Sequence, residues 1–372
     1  MSYLCMLSFA MVFQSIPPLL TLILQEFGVS HAEVGLLMSL FALPGILVAL
    51  PGGIISDRFG MRKTGTASSF LMIIGALIVG TSSNLFQAYL GRIVSGAGGL
   101  TLAIVLPQLV SKWFSEKELS VGMGIFNTAM PLGTILSFNI FSIMGESFGW
   151  QTPIFITSII GIVALSAFLW FFKEPIESSD KARNGILENI ANLGLSIWLV
   201  GISWMWFNAA FISFLTFSSV FLTTRGFGSA SFLSSIVMMG SLLLSPVVGY
   251  FIHKIGREEL FVGISGAILA ALIYLVLTSP LIILLLVLIG IFVAFVPAPI
   301  FSLPSKLVKS KDLGLAFGIM TACLNIGVLL GPYLTGLVKD LTGDYSVSFY
   351  LMSLFALLQT ITILIFRLRK RS

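Results

Sequence analysis

Twelve continuous apolar runs, most of them about twenty residues or longer, limit this chain to one class of fold. Runs of that length match the thickness of a bilayer when they form α-helices, whereas barrel strands would alternate apolar and polar residues over about ten positions. Because lipid leaves every backbone polar group to be satisfied within the protein, the runs predict transmembrane helices. They lie near 3–26, 33–55, 64–82, 86–111, 119–145, 151–172, 190–223, 229–252, 259–278, 280–304, 313–338 and 346–367. Residues 184–192 could form an interfacial helix before the seventh run, and prolines at 17–18, 44, 297 and 299 predict bends within three runs.

The composition agrees with a chain that has lipid as most of its solvent. Of its 372 residues 57% are hydrophobic and 9% are charged, whereas a soluble domain is nearer about 25% charged. The two cysteines, Cys5 and Cys323, lie within apolar runs far apart in sequence, so we interpret both as free buried thiols. We expect neither a metal nor a cofactor. Met1 leads into an apolar run without a positive region, which predicts a retained anchor and not a cleaved signal.

The basic residues of the loops are distributed very unequally between the two sides. Arg225 and Lys339 lie on one side and Arg92 lies within a run, while the other seventeen collect on the opposite side. This bias predicts a plasma-membrane protein with both termini in the cytoplasm. It also accounts for the net charge of +5 without a nucleic-acid partner. The seventeen are Arg58, Arg62, Lys63, Lys112, Lys117, Lys173, Lys181, Arg183, Lys254, Arg257, Lys306, Lys309, Lys311, Arg367, Arg369, Lys370 and Arg371.

One polar stretch divides the chain into two groups of six runs. Residues 173–189 have a composition typical of soluble proteins, which predicts a cytoplasmic linker between two six-helix bundles, 1–172 and 190–372. The two groups also carry matching landmarks. Gly53 matches Gly249, Arg58 matches Lys254 and Gly60 matches Gly256, each 196 residues later. Matches at a nearly constant offset indicate two repeats in parallel topology.

The sequence after the second run resembles the signature of the major facilitator superfamily, G-x-x-x-D-R-x-G-x-R-K. The resemblance covers the whole chain and implies an all-α membrane protein of twelve transmembrane helices in two six-helix parallel repeats. It also implies a secondary transporter that works by alternating access, with the signature latching the two halves on the cytoplasmic side. The signature residues are Gly53, Asp57, Arg58, Gly60, Arg62 and Lys63, and the degenerate copy consists of Gly249, Lys254, Gly256 and Arg257.

The stretch from Arg92 through Trp113 to Gly124 resembles prokaryotic carriers of the cyanate-type or unassigned branch. It is also similar, more weakly, to the lysosomal dipeptide-carrier branch. The drug-antiporter pattern, Gly-Pro followed by glycine in the fifth helix, is broken here at Met130-Pro131-Leu-Gly133. That departure argues against a reading restricted to drug antiport.

Arg92 is the one basic residue inside an apolar run, and a charge there costs at least about 2.5–3.5 kcal/mol on insertion scales. Three roles are open for it: binding a substrate carboxylate or anion, holding the fold through helix carbonyls, or snorkelling to the interface. Five amide side chains also lie inside runs, either as ligand contacts or as interhelical hydrogen bonds. They are Gln14, Gln108, Asn127, Asn208 and Asn325, and all but Gln108 join Arg92 as predicted substrate contacts.

The acidic residues of the runs and both histidines, His31 and His253, lie at run ends. This argues against proton coupling through a central carboxylate, although Glu33 or Glu146 could couple from the outer vestibule. A single uncompensated positive charge predicts a carrier of small organic anions or zwitterions. The alternatives are an efflux carrier for amphipathic compounds and a polytopic receptor or channel. We expect a monomer that is not an enzyme, with the coupling ion left open.

Overall fold

The computed structural model describes residues 1–49, 59–173, 193–309 and 312–371, and its regular structure over these residues is helical. Eleven of the described helices or helix pairs are long and apolar enough to cross a membrane. A further apolar stretch, Ala230–Leu244, forms the first part of a longer helix. The prediction of an all-α membrane fold is therefore confirmed.

We number the twelve membrane-crossing stretches as spans in chain order. Span 1 consists of Ser2–Phe13, a 3₁₀ turn Pro17–Leu19 and Leu20–Phe27, and span 2 of His31–Ser39 and Leu43–Val48. Spans 3, 4 and 6 are the helices Met61–Gly80, Leu85–Trp113 and Gln151–Phe171. Span 5 consists of Glu116–Asn127, Ala129–Leu136, a π-helical turn Ser137–Phe141 and Ser142–Phe148.

The second half follows the same order with longer single helices. Spans 7, 8 and 9 are Leu195–Thr224, Ala230–Ile255 and Glu258–Leu275. Span 10 consists of Ile282–Ala294, Pro297–Ser302 and Pro304–Leu307, and spans 11 and 12 are Leu313–Thr342 and Tyr345–Arg371. Span 7 begins five residues later than predicted, because Gly194 precedes the first helical turn. The possible interfacial helix near 184–192 lies outside the described residues.

The chain packs into two compact units. The first contains Met1–Val29 and Leu40–Asn184, and the second contains Ser30–Ser39 and Gly185–Ser372. The first nine helical residues of span 2 therefore belong to the second unit, although the remainder of that span belongs to the first. The predicted division into the bundles 1–172 and 190–372 with the linker 173–189 stays a prediction.

Prolines interrupt three spans at the predicted places. Span 1 breaks before Pro17, span 2 turns at residues 40–42 before Pro44, and span 10 breaks before Pro297. A proline lacks the backbone N–H and clashes with the preceding turn, so a helix can restart at it but cannot continue through it unchanged. The predicted bends are confirmed.

The glycines with positive φ repeat between the halves. Among the described residues these positions are Gly28, Gly60, Gly149, Gly226, Gly256 and Gly343. They form three pairs, 28 with 226, 60 with 256 and 149 with 343, at offsets of 198, 196 and 194. Each pair follows corresponding spans of the two halves: spans 1 and 7, spans 2 and 8, and spans 5 and 11. Since this backbone conformation favours glycine, the pairing extends the sequence repeat to local backbone geometry.

Candidate functional site

Arg92 lies on span 4 in a socket formed by the break of span 1. Its side chain is 1% exposed. One terminal nitrogen donates to the Val12 carbonyl at 2.9 Å and the other donates to the Phe13 carbonyl at 3.1 Å. Its guanidinium carbon also lies 4.6 Å from the centre of the Phe41 ring. These contacts favour the alternative in which Arg92 holds the fold through helix carbonyls.

The socket explains why a helix can end in the middle of the first unit. Helix Ser2–Phe13 ends at Phe13, so the Val12 and Phe13 carbonyls lack the regular partners of a continued helix. The Ser15 hydroxyl donates to the Val12 carbonyl at 2.9 Å, beside the bond from Arg92. Irregular backbone at membrane depth needs partners from the protein or from a water-filled cavity, and here the guanidinium supplies them. Gln14, the next residue, is buried, and its Oε1 is without a hydrogen-bond partner within the described part of the chain. The break therefore leaves a buried acceptor on the residue that follows the two carbonyls bound by Arg92.

The second unit holds the two other buried amides among the predicted contacts, on spans 7 and 11. Asn208 donates its Nδ2 to the Trp204 carbonyl at 2.8 Å, and Asn325 donates its Nδ2 to the Thr321 carbonyl at 2.8 Å. The Asn325 side-chain oxygen and the Trp204 indole N–H remain without partners across the residues described, although both residues are at most 5% exposed. A buried donor and a buried acceptor are therefore available on these two helices.

Close backbone packing places these groups at one level of the second unit. A Cβ added at Gly327 would lie 2.2 Å from the Met205 carbonyl oxygen, and one added at Gly331 would lie 2.5 Å from the Ala209 oxygen. Spans 7 and 11 thus run parallel with their backbones in contact. Trp204 and Asn325 each lie within two residues of the first of these contacts, so they occupy the same layer.

Aromatic rings surround the Trp204 indole. Its ring stacks on Phe207 with centroids 5.1 Å apart and meets Phe301 edge-on at 5.3 Å, and Phe301 in turn lies 6.2 Å from Phe317. Phe301 and Phe317 are 41% and 36% exposed, which continues the aromatic surface outward from the buried indole. No local pattern in the sequence indicates that the Trp204 N–H is without a partner among the described residues.

The predicted substrate contacts are divided between the two units. Asn127 is exposed and is the last residue of helix Glu116–Asn127, at the first interruption of span 5. Gln14 and Arg92 belong to the first unit, whereas Asn208 and Asn325 belong to the second. The role of these five residues as substrate contacts stays a prediction.

The loop signature is described only in part. Gly53, Asp57 and Arg58 lie outside the described residues. Gly60 has φ of +83° immediately before span 3, and Arg62 and Lys63 are exposed in the first turn of that span.

In the second half, Gly249 and Lys254 lie on span 8 and Gly256 has φ of +66°. Arg257 precedes the first residue of span 9, and both Lys254 and Arg257 are exposed. The latch role of the signature and its copy stays a prediction.

Two charged clusters of the second unit were not predicted. Lys306 donates to Glu258 at 2.5 Å, although Glu258 is buried at the start of span 9. At the other end of the unit, Asp340 of span 11 lies 2.8 Å from the ring of His31. Both pairs join residues at least 48 positions apart in sequence, so no local pattern could reveal them.

An open groove of about 980 Å³ lies in the first unit. Its wall is mostly apolar and aromatic, with one acidic and one basic side chain. The lining includes Tyr3, Trp113, Phe114, Phe126, Glu118 and Lys173. Such a wall fits an amphipathic molecule.

Comparison with known proteins extends these observations. The model of the Major Facilitator Superfamily matches residues 2–308 and again residues 226–372. A crystal structure of the nucleoside transporter NupG has a TM-score of 0.80, with 14% identity, 99% of this chain and 98% of that chain covered. At that identity the likeness concerns the fold.

Relatives with assigned transport activities cover most of the chain. The lysosomal dipeptide transporter MFSD1 of Homo sapiens is 26% identical over 91% of this chain and 79% of its own length. The hexuronate transporter of Bacillus subtilis is 23% identical over 92% and 87%. The similarity to the lysosomal dipeptide-carrier branch is thus confirmed, whereas the cyanate-type branch stays a prediction. With the family model matching both halves and the twelve-span fold in place, the chain belongs to the Major Facilitator Superfamily of multi-pass membrane transporters.

Proposed function

We propose that this chain is a secondary transporter for small organic solutes that carry a carboxylate, either as anions or as zwitterions. The observation that carries the proposal is the unpartnered pair on spans 7 and 11, the Trp204 N–H and the Asn325 side-chain oxygen. A buried donor or acceptor without a partner costs about 1–3 kcal/mol. A solute that supplies both partners recovers that free energy on binding.

The two groups differ in what they require. The indole N–H is a donor only, so it favours a carboxylate or another acceptor on the solute. The Asn325 oxygen is an acceptor, so it favours an ammonium or hydroxyl group. An apolar solute would leave both groups without partners, which would disfavour it. The exposed rings of Phe301 and Phe317 add a surface for the apolar part of the solute.

Within the first unit, the charge of Arg92 supports the same class of solute. At 1% exposure and with the Val12 and Phe13 carbonyls bound, it lies deep in the first unit. A fixed positive charge in a low-dielectric surrounding raises the local potential, which favours anions over cations. The acidic sugar and the dipeptide named for the relatives both carry a carboxylate, which supports the same solute class.

Uptake into proteoliposomes tests the proposal. Counterflow should be supported by a dipeptide or a hexuronate and not by a permanent cation of similar size. Trp204→Phe removes the N–H but keeps the ring, so the Michaelis constant should rise about tenfold. Trp198→Phe, a partly exposed tryptophan on the same helix, is the matched control and should leave the constant unchanged. Equal constants in both variants would remove Trp204 from the site.

The groove of the first unit favours a second candidate, an efflux carrier for amphipathic compounds. This candidate predicts that an amphipathic dye competes with the carboxylate solute, and that Trp113→Ala reduces competition without changing uptake of the solute.

We propose for either solute an alternating-access cycle in the plasma membrane, with both termini cytoplasmic. A channel or receptor would show no counterflow in the same vesicles.

A further inference from the structure

The helix His31–Ser39 is docked on span 11 by direct backbone contact. A Cβ added at Gly35 would lie 2.4 Å from the Pro332 carbonyl oxygen, and one added at Gly336 would lie 2.2 Å from the His31 carbonyl oxygen. Val34, next to Gly35 on the same helix, is fully buried. The segment therefore packs as tightly as a core helix, although the rest of span 2 belongs to the other unit.

Non-helical residues separate this docked helix from the helices on both sides of it. Gly28, with φ of +61°, ends span 1 two residues before Ser30, and a turn at residues 40–42 separates Ser39 from Leu43. The nine-residue helix is thus bounded on both sides by non-helical residues, and hinge motion is absorbed at such positions at element ends.

A polar cluster holds the beginning of the docked helix. Asp340 accepts hydrogen bonds from the backbone N–H of His31 at 3.0 Å and of Ala32 at 2.7 Å, so its carboxylate satisfies the first turn of the helix. The same carboxylate lies 2.8 Å from His31 Nδ1. The other ring nitrogen, Nε2, lies 2.9 Å from the Tyr345 hydroxyl.

This arrangement accommodates His31 in two protonation states. In the neutral state, Nδ1–H donates to Asp340 and Nε2 accepts from the Tyr345 hydroxyl. In the charged state both nitrogens donate, and the bond to Asp340 becomes an ion pair. Charge-assisted hydrogen bonds are roughly twice as strong as neutral ones, so the charged state strengthens docking. Histidine is also the side chain whose charge ordinarily changes between about pH 5 and pH 8.

The other charged groups around the cluster are few and already engaged. Glu33 accepts from the Ser30 backbone at 2.8 Å, on the docked helix itself. Lys339 of span 11 donates to the Gly343 carbonyl and lies 4.6 Å from the Tyr345 ring centre. Asp344 accepts from the Ser346 backbone, which holds the pKa of its carboxyl below the usual range. Arg225 of span 7 faces the Phe221 ring, which in turn packs on Tyr345.

We propose that His31 binds a proton to close a latch between the helix His31–Ser39 and span 11, with Asp340 as its counter-charge and Tyr345 as its second partner. Acid favours the docked state, because the proton adds attraction that only the docked geometry provides. Undocking at higher pH releases the segment from Asp340. The proposal builds on the transporter assignment, but its test needs no substrate.

The test measures how quickly a buried thiol becomes accessible. In a Cys5→Ser, Cys323→Ser background, Val34→Cys places a single thiol at a fully buried position of the docked helix. The rate at which a maleimide labels this thiol is measured in purified full-length protein. Ser83→Cys, an exposed position in another loop, corrects for the pH dependence of the reagent. The normalised rate should fall roughly three- to tenfold between about pH 8 and about pH 5.5.

Three variants separate the latch from general effects of pH. His31→Asn keeps a donor toward Asp340 but cannot gain charge, so the pH dependence should disappear. Asp340→Asn should label faster at every pH and show no pH dependence. Asp344→Asn, a carboxylate of the neighbouring loop with its own partner, should behave like the unmodified reporter.

Several outcomes would overturn the latch. These are a normalised rate independent of pH with His31 intact, a pH dependence that survives in His31→Asn, or one that disappears in Asp344→Asn. Should Asp340→Asn fail to fold, Tyr345→Phe replaces it. Tyr345→Phe removes the hydroxyl partner of His31 Nε2, so its labelling rate at about pH 8 should exceed that of the unmodified reporter. An unchanged labelling rate in Tyr345→Phe would also overturn the proposal. Loss of transport with an intact latch signal would instead count against the proposed function.

Discussion

At the scale of single residues, Arg92 shows how one buried side chain can hold the end of a neighbouring helix. The sequence identified it as the basic residue inside a run, and the cost of burying a charge indicated that it must have partners. The pattern could not choose between a ligand and a helix carbonyl as partner, because the break after Phe13 is not encoded at position 92. The socket of Val12 and Phe13 carbonyls depends on a contact about 80 residues distant in sequence.

Arg92→Lys should lower the thermal stability of the purified protein. A lysine ammonium is a compact point charge, whereas the planar guanidinium reaches two carbonyls at once. Losing the bond to the Phe13 carbonyl removes a hydrogen bond from a buried acceptor, at a cost of about 1–3 kcal/mol. The unfolding midpoint in detergent measures this loss.

Arg257→Lys, at an exposed position, is the control for that substitution and should leave the midpoint unchanged. Flux per folded molecule separates the two roles of Arg92. A solute contact would change the Michaelis constant, whereas a purely structural role would change only the amount of folded protein. An Arg92→Lys protein with an unaltered midpoint would contradict the socket.

At the scale of helices, the sequence predicted the spans and the proline breaks well, because both depend on local chemistry. It could not predict that residues 30–39 of span 2 would pack with the second unit, since that contact is decided by Gly35 and Gly336 from opposite ends of the chain. For the same reason it recognised Asp340 and His31 as helix-end residues but did not pair them.

Spans 3 and 4 show the same close packing within the first unit. A Cβ added at Gly98 would lie 2.3 Å from the Ser68 carbonyl oxygen and 2.4 Å from the Met72 nitrogen, both backbone atoms that cannot move aside. Gly98→Ala should therefore push the two helices apart and cost about 1–3 kcal/mol of stability.

Gly124→Ala is the matched comparison for that change, because a Cβ at Gly124 meets nothing within 4 Å. Alanine is the better helix former by up to about 1 kcal/mol, so this variant should be neutral or slightly stabilising. Unfolding midpoints of the two variants, measured in the same detergent, should differ in sign or clearly in size. Equal destabilisation would mean that the close contact of spans 3 and 4 at Gly98 adds no cost of its own to the substitution.

At the scale of the whole molecule, the repeat is the feature that sequence and structure share most fully. Matching landmarks at 196 residues predicted two halves, and the positive-φ glycines reproduce the pairing in the backbone at three places. Backbone conformation repeats because a helix end that needs a left-handed residue keeps its glycine while the surrounding side chains diverge. The buried polar groups do not repeat in this way: Arg92 and Gln14 lie in the first unit, and Trp204 and Asn325 lie in the second.

The distribution of charge over the loops predicts the orientation of the protein in the membrane. Seventeen of the twenty basic residues fall on the side of the two termini, and only Arg225 and Lys339 fall on the loops of the other. Positive loops are retained on the cytoplasmic side during insertion. A reporter enzyme that works only in the cytoplasm should therefore be active when it is fused after Ser372. The same reporter fused after Asp344, between spans 11 and 12, should read as external. The latch would then face outward, where it meets the pH of the surroundings. External activity of the fusion after Ser372 would reverse both conclusions.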